Sequence, residues 1–364
     1  MTILSADDLD LARLRGDPLI DPLITTQLEL GGASACTLEE MERLAQQGNE
    51  IAYTFTLPLN IAPDWVNWSL IERGRRVFVR THVLSTSALL LGGMIDSYTN
   101  PQIARVLVHS GRLIESANRR VFETGQMVYD THLPHGLRPK GQGVRTLLKI
   151  RLLHAVIRAR INHHMAKHHY ADNHVHSVRE DPINQEDSLF TLMMFNVMVI
   201  RGLRSLGVEI SAKDLQAYQH FWCYVGWILG VEYALLPKRY EDADALYDLI
   251  KSRHCEYGQN AQELTHALIQ GVAGGPPFFL PANVLAALAR HFLGDESADA
   301  LQLPKSRFAP SMIQRLKLPL GLFGRILASR GLVESISLQV GQSYGAFVIA
   351  WGLKKSPATF EASS

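Results

Sequence analysis

The residues of this chain best placed to do chemistry are Arg151, His154 and Arg158. Their spacing of three and then four puts them on one face of a helix. Val144, Leu147, Leu148, Ile150, Leu152, Leu153, Val156 and Ile157 occupy the remaining sides, the mark of a helix buried all round. Guanidinium groups in such surroundings need anionic partners. Two readings fit. One is a structural arginine network with a satisfied core histidine. The other is a neutral imidazole that ligates a metal or haem iron, with the arginines pairing carboxylates or propionates.

A second constellation lies upstream. Arg120 and Thr124 stand four apart on the helix predicted over 116–129, with Glu123 beside them. A carboxylate there can accept and return a proton while an oxidant is activated, or it can pair with Arg119 on a solvated face. Further on, His163, His164, His168, His169, His174 and His176 crowd one short segment. His164 and His168 have a spacing that can hold a divalent cation. No acidic residue completes a His-Glu-x-x-His arrangement, so the segment reads as a solvated linker. His220 and Trp222 fall in an apolar stretch and read as packing near the same centre as His154.

These side chains need helices to hold them, and the sequence offers little else. Apolar residues recur every three or four positions through most of the chain. Thr37 with Glu40 makes a capping box. Asn184, Glu186 and Asp187 open a helix from about Gln185 to Leu206, ended by Gly207; Ser211 and Asp214 start the next, to about Val231. Residues 271–281 form the clearest loop. The length of 364 residues admits two domains. No linker or composition break divides them, so the expected fold is all-α: one large helical domain over 1–364, with a C-terminal helical extension from about 291.

Composition excludes several classes. At 47% hydrophobic and 20% charged, the chain has ample apolar surface for a core and is not disordered. A formal net charge of +1 provides no field for nucleic acid. Three cysteines are too few for a disulfide framework. The chain lacks a Gly-rich phosphate loop and a Gly-x-Ser-x-Gly elbow, the anchors of nucleotide and serine-hydrolase chemistry. With no long uninterrupted apolar run, and an acidic start at Asp7, Asp8 and Asp10, the expectation is a cytoplasmic protein without an integral membrane span.

A resemblance joins these pieces. Arg151-Leu-Leu-His154-Ala-Val-Ile-Arg158 is preceded by Leu133-Pro134-His135-Gly136 and followed by Pro182-Ile183-Asn184-Gln185 and Ala217-Tyr218-Gln219-His220-Phe221-Trp222. Pro63-Asp64-Trp65 and Arg73-Gly74 stand before them. In order and spacing this resembles the family of the latex clearing proteins (bacterial rubber oxygenases) and the fungal mycophenolate-pathway oxygenase, over residues from about 10 to 290. The resemblance implies haem b in a globin-like helical core, with His154 as proximal iron ligand and Arg120 and Thr124 on the distal side. Two positions depart from it. Glu123 stands where the rubber oxygenases carry an iron-capping lysine, and Ile103 where they carry a catalytic glutamate.

The expected function is therefore a haem-b-dependent oxygenase or peroxygenase acting on a small apolar organic substrate rather than polyisoprene. Arg120, Glu123 and Thr124 would act on dioxygen or peroxide, with an electron donor as partner. Arg151, Arg158 and His220 would border the cofactor. The alternatives are a non-catalytic haem carrier or gas or redox sensor, which needs only His154, and a non-haem metal protein built on the histidine cluster.

Overall fold

The computed structural model describes residues 4–109, 115–169, 180–306, 309–327, 331–354 and 358–360, and among these there is no strand. Its longest buried element is the 28-residue helix Gln142–His169. Val144, Leu147, Leu148, Leu152, Ala155 and Val156 are buried on it. It therefore serves as a central post, packed by Asp21–Gly31, Glu115–Thr131 and Ala212–Ile228. A post apolar on every side can only be covered by neighbours on every side.

The surrounding helices begin where their caps dictate. Asn184 and Ser211 accept hydrogen bonds from the backbone N–H groups of Asp187 and Asp214. Thr37 accepts from Glu40 in the same way. Each such cap is worth about 1 kcal/mol. The helix expected from Gln185 to Leu206 is present but not uniform: Gln185–Met193 is α, Met194–Met198 winds as a π-helix, and Val199–Ser205 is α again. Asn196 within the wide turn donates to Gln219 on the Ala212–Ile228 helix. A second π segment, Ala88–Met94, packs against the first.

Ala212–Ile228 ends slightly short of the expected Val231, because Gly230 turns the chain at φ +92°. The loop after Gln259–Val272 lies where the sequence put it. The C-terminal portion is helical too, as Ala309–Leu327 and Leu332–Gly352. The second of these rests on Glu115–Thr131 through Phe122, Val348, Ile349 and Leu353.

Candidate active site

Helices Pro101–His109, Glu115–Thr131, Gln142–His169, Gln185–Met193, Ala212–Ile228 and Gln259–Val272, with the two π segments, surround a cavity of about 370 Å³. That is within the ~300–1,000 Å³ of ordinary small-molecule sites. His154 projects from the central helix into its wall, and Arg120, Glu123 and Thr124 reach the wall from Glu115–Thr131. Two separate constellations in the sequence thus meet at one site. The rest of the wall is largely apolar, with Met94, Ile103, Leu153, Phe195, Trp222 and Leu268 among its residues.

Burial pushes the His154 imidazole down to about 4, reinforced by the nearby Arg158 charge and opposed by Asp17. The ring is therefore neutral at physiological pH. Among the described residues it makes no hydrogen bond. The backbone or carboxylate partner that would fix the tautomer of a metal-binding histidine is thus not found. The half-buried imidazole faces the cavity with neither nitrogen bonded to a described residue, so a ring nitrogen is open to a ligand there. It fits a ligand that supplies the missing partner.

Arg151 and Arg158 do not face the main cavity. Arg151 donates Nε and Nη2 to Asp17, at 2.5 and 2.9 Å, and Arg158 donates Nε and Nη2 to Asp21, at 2.7 and 2.8 Å. These are bidentate pairs that tie the N-terminal segment to the central post, so the arginines act behind His154 as structural anchors. His220 is likewise elsewhere. Its Nε2 accepts from the backbone N–H of Asn67 at 3.0 Å, and its ring meets Trp65 edge-on. Two positions along a helix turn the side chain to the other side, so Trp222 reaches the cavity where His220 cannot.

On Glu115–Thr131, Arg120 donates to the Leu107 carbonyl at 2.8 Å. Burial lowers its pKa, against the charges of Glu123 and Tyr98. Glu123 does two things at once: it borders the cavity, and its carboxylate accepts from Arg119 at 2.8 Å with the side chain about 30% exposed. Thr124 differs from Thr131 and Thr265, whose hydroxyls return to the carbonyl four residues back. It lines the cavity, and its hydroxyl bonds to none of the described residues. Ile103, from Pro101–His109, also lines the cavity with an apolar side chain.

Sequence reasoning missed three residues of the wall. Asp187 was legible only as a helix-start residue. Its carboxylate accepts from Asn100 and Asn184 at 3.0 and 2.9 Å, and burial raises it to about 6 against the pull of Arg13. Tyr98, raised by burial, and Phe360, from the end of the chain, carried no local signal. In the histidine cluster, His163 and His164 are exposed on the last turns of the central helix. The side chains of His168 and His169, and all of His174 and His176, lie outside the described residues. Among those described, no group of three metal-ligating side chains occurs.

Residues 75–320 match the family described as ER-bound oxygenase mpaB/B'/rubber oxygenase, catalytic domain. The rubber oxygenase of Streptomyces sp. (strain K30) is 25% identical over 244 residues, 67% of this chain and 58% of the relative's length. The chain thus aligns with little more than half of that relative. The structure of latex clearing protein in its closed state superposes with a TM-score of 0.75 at 18% identity, over 96% of this chain and 94% of that one. The span of the match, which covers the cavity helices from both constellations, makes this chain a member of the mpaB/rubber oxygenase catalytic-domain family.

Proposed function

We propose that this chain is a haem-b-dependent oxygenase acting on a small apolar organic substrate, with His154 as the iron ligand. The observation that carries the reading is the His154 ring: neutral, without a hydrogen bond among the described residues, and on the wall of an apolar cavity that Arg120 and Thr124 also line. A ligating imidazole must be neutral with a free lone pair, which is the state burial imposes here. Haem, when bound, supplies the activation of dioxygen or peroxide, and the protein supplies the pocket, its polarity and its access.

The roles of the other residues follow from position. Arg120 places fixed positive charge at the wall, where negative charge on an oxidant is stabilised. Thr124 offers a hydroxyl proton that no described residue accepts. Glu123, reaching both solvent and cavity, passes protons between them. Met94, Leu153 and Leu268 exclude water and favour an apolar substrate. The polyisoprene activity named for the Streptomyces relative is not carried over, because Ile103 and Glu123 replace the glutamate and lysine of that pattern.

The test is reconstitution with haemin. The parent should take up one equivalent and show a Soret band, whereas His154→Ala should lose stoichiometric haem yet stay helical by circular dichroism. Full haem content and an unchanged spectrum in that variant would overturn the assignment. Turnover of apolar substrates with dioxygen plus a reductant, or with peroxide, then separates an oxygenase from a carrier or sensor.

A further inference from the structure

The two C-terminal helices are patterned inside out. On Leu332–Gly352 the face turned to the protein is small over most of its length, with Ser337, Gly341 and Gly345 buried there before Val348 and Ile349 near its end. A Cβ at Gly341 would collide with the Val79 carbonyl oxygen, and one at Gly345 would sit 3.0 Å from the His82 ring. The outward stripe holds Leu332, Ile336, Val340, Phe347 and Trp351, at helical spacing, with Leu332 77% and Val340 62% exposed. Ala309–Leu327 repeats the arrangement. Gly324 seats it against Val208, while Leu318, Leu322, Phe323 and Ile326 face out, Leu318 at 86% exposure. Scattered exposed leucines are ordinary, but two adjoining helices that both turn their large apolar residues outward are not.

Charge says what such a face fits. From residue 305 to the end the sequence has eight Lys and Arg against two Glu, in a chain whose total is +1. Arg315 and Arg325 are exposed on Ala309–Leu327, where Lys317 is half-buried, and Lys354 is exposed just beyond the end of Leu332–Gly352. Arg325 pairs with Glu209, and Glu334 is turned inward toward Arg76 at 3.7 Å. Exposed apolar residues flanked by cations are the composition of helices that lie in the plane of an anionic lipid surface. An anionic lipid surface complements this excess of positive charge, which a second copy of the same face would only repeat.

We infer that the outer face of Ala309–Leu327 and Leu332–Gly352 docks on an anionic membrane surface, with the apolar stripes at the headgroup–acyl boundary and the cations on the headgroups. The apolar residues of the two helices lie along their outer face, the pattern of an interfacial contact, and no single helix among the described residues is long and apolar enough to cross a membrane. The docked face adjoins the cavity. Leu332–Gly352 covers Glu115–Thr131, and a small pocket of about 50 Å³ beneath it shares Val121 and Thr124 with the main cavity.

The test is co-sedimentation of the full chain with vesicles, read without haem or substrate and so independent of the oxygenase reading. Vesicles of phosphatidylcholine with about one third phosphatidylglycerol should bind at least about tenfold more protein than phosphatidylcholine alone, and ~0.5 M salt should weaken the binding. Leu318→Glu with Val340→Glu should abolish it. Arg315→Gln with Lys317→Gln and Lys354→Gln should keep the fold and lose the preference for anionic lipid. Equal binding to neutral and anionic vesicles, or none, overturns the inference. So does a concentration-dependent dimer by light scattering that the Glu substitutions dissociate while vesicles bind nothing.

Discussion

Thr124 and Glu123 are neighbours with opposite commitments, and single substitutions separate them. The Thr124 hydroxyl bonds to no described residue while lining the cavity. Thr124→Val keeps shape and helix, so haem uptake should be unchanged while turnover falls by roughly tenfold to a hundredfold. Parent-like turnover would remove Thr124 from the proton path. Glu123 is partly held by Arg119 at i−4, a surface pair worth about 0.2–1 kcal/mol. Glu123→Gln should therefore barely move the melting temperature yet slow turnover by roughly 10²-fold. Stopped-flow oxidation of the reconstituted protein measures this, and equal rates in parent and variant would reduce Glu123 to its pair with Arg119. The same scale shows what a histidine can hide. His154 and His220 are both titratable residues in apolar helices, and only the folded chain reveals that one has its hydrogen bond and the other does not.

Among the elements, the central post depends on partners far away in sequence. Arg151 and Asp17 are 134 residues apart, both nearly buried, and bonded through two donors. Gly230 completes the joint: its φ of +92° suits only glycine, and a Cβ there would lie 2.6 Å from Arg151 Nε. Arg151→Met leaves Asp17 buried and unpaired and should cost about 3–5 kcal/mol in urea unfolding. Adding Asp17→Ala should restore part of that loss, since the uncompensated charge goes with it. Strictly additive losses would deny the coupling. This joint also marks the limit of what could be read beforehand. Caps at Asn184 and Ser211 are local, so the helix starts were legible, and the i, i+3, i+7 row at Arg151 announced that anions must be near. Which anions could not be read, because Asp17 and Asp21 reach the row only through the tertiary fold. Nor could the π segment at Met194–Met198, where local propensity continues an α-helix and the widened turn is fixed by packing against Ala88–Met94 and by Asn196 meeting Gln219. Both π segments supply cavity wall, Met94 from one and Met194 and Phe195 from the other, in keeping with the frequent placement of such turns at functional sites.

At the scale of the whole molecule, the apolar interior makes stability a function of pH through histidines outside the main cavity. His132 is buried between Phe78 and Phe221, its Nδ1 bonded to the Val128 carbonyl at 2.7 Å and its Nε2 without a partner among the described residues. Burial pushes it down to about 3, with the charges of Arg75 and His82 acting the same way and the Val128 bond opposing. His82 is pushed down to about 4 by burial. Both remain neutral in the folded protein over a range where the unfolded chain, titrating near the ordinary histidine value of about 6.5, binds protons. The unfolded state therefore gains protons first as pH falls. Their contribution is whole above about pH 6.5 and is lost progressively down to about 4 for His82 and 3 for His132, each histidine contributing a slope on the order of 1.4 kcal/mol per pH unit within its window. Carboxylates titrate over the lower part of this range, so the informative quantity is the difference between parent and a variant. His132→Phe keeps an aromatic ring between Phe78 and Phe221 and removes the ionisable group. Its urea-unfolding free energy should lose less than the parent's between pH 6.5 and 4, by roughly one histidine's slope, whatever constant offset the lost Val128 bond introduces. Parallel curves for parent and variant over that interval would mean that His132 protonates in the folded protein as easily as in the unfolded one, and that the interior around the Trp68–Arg80 and Glu115–Thr131 helices admits water.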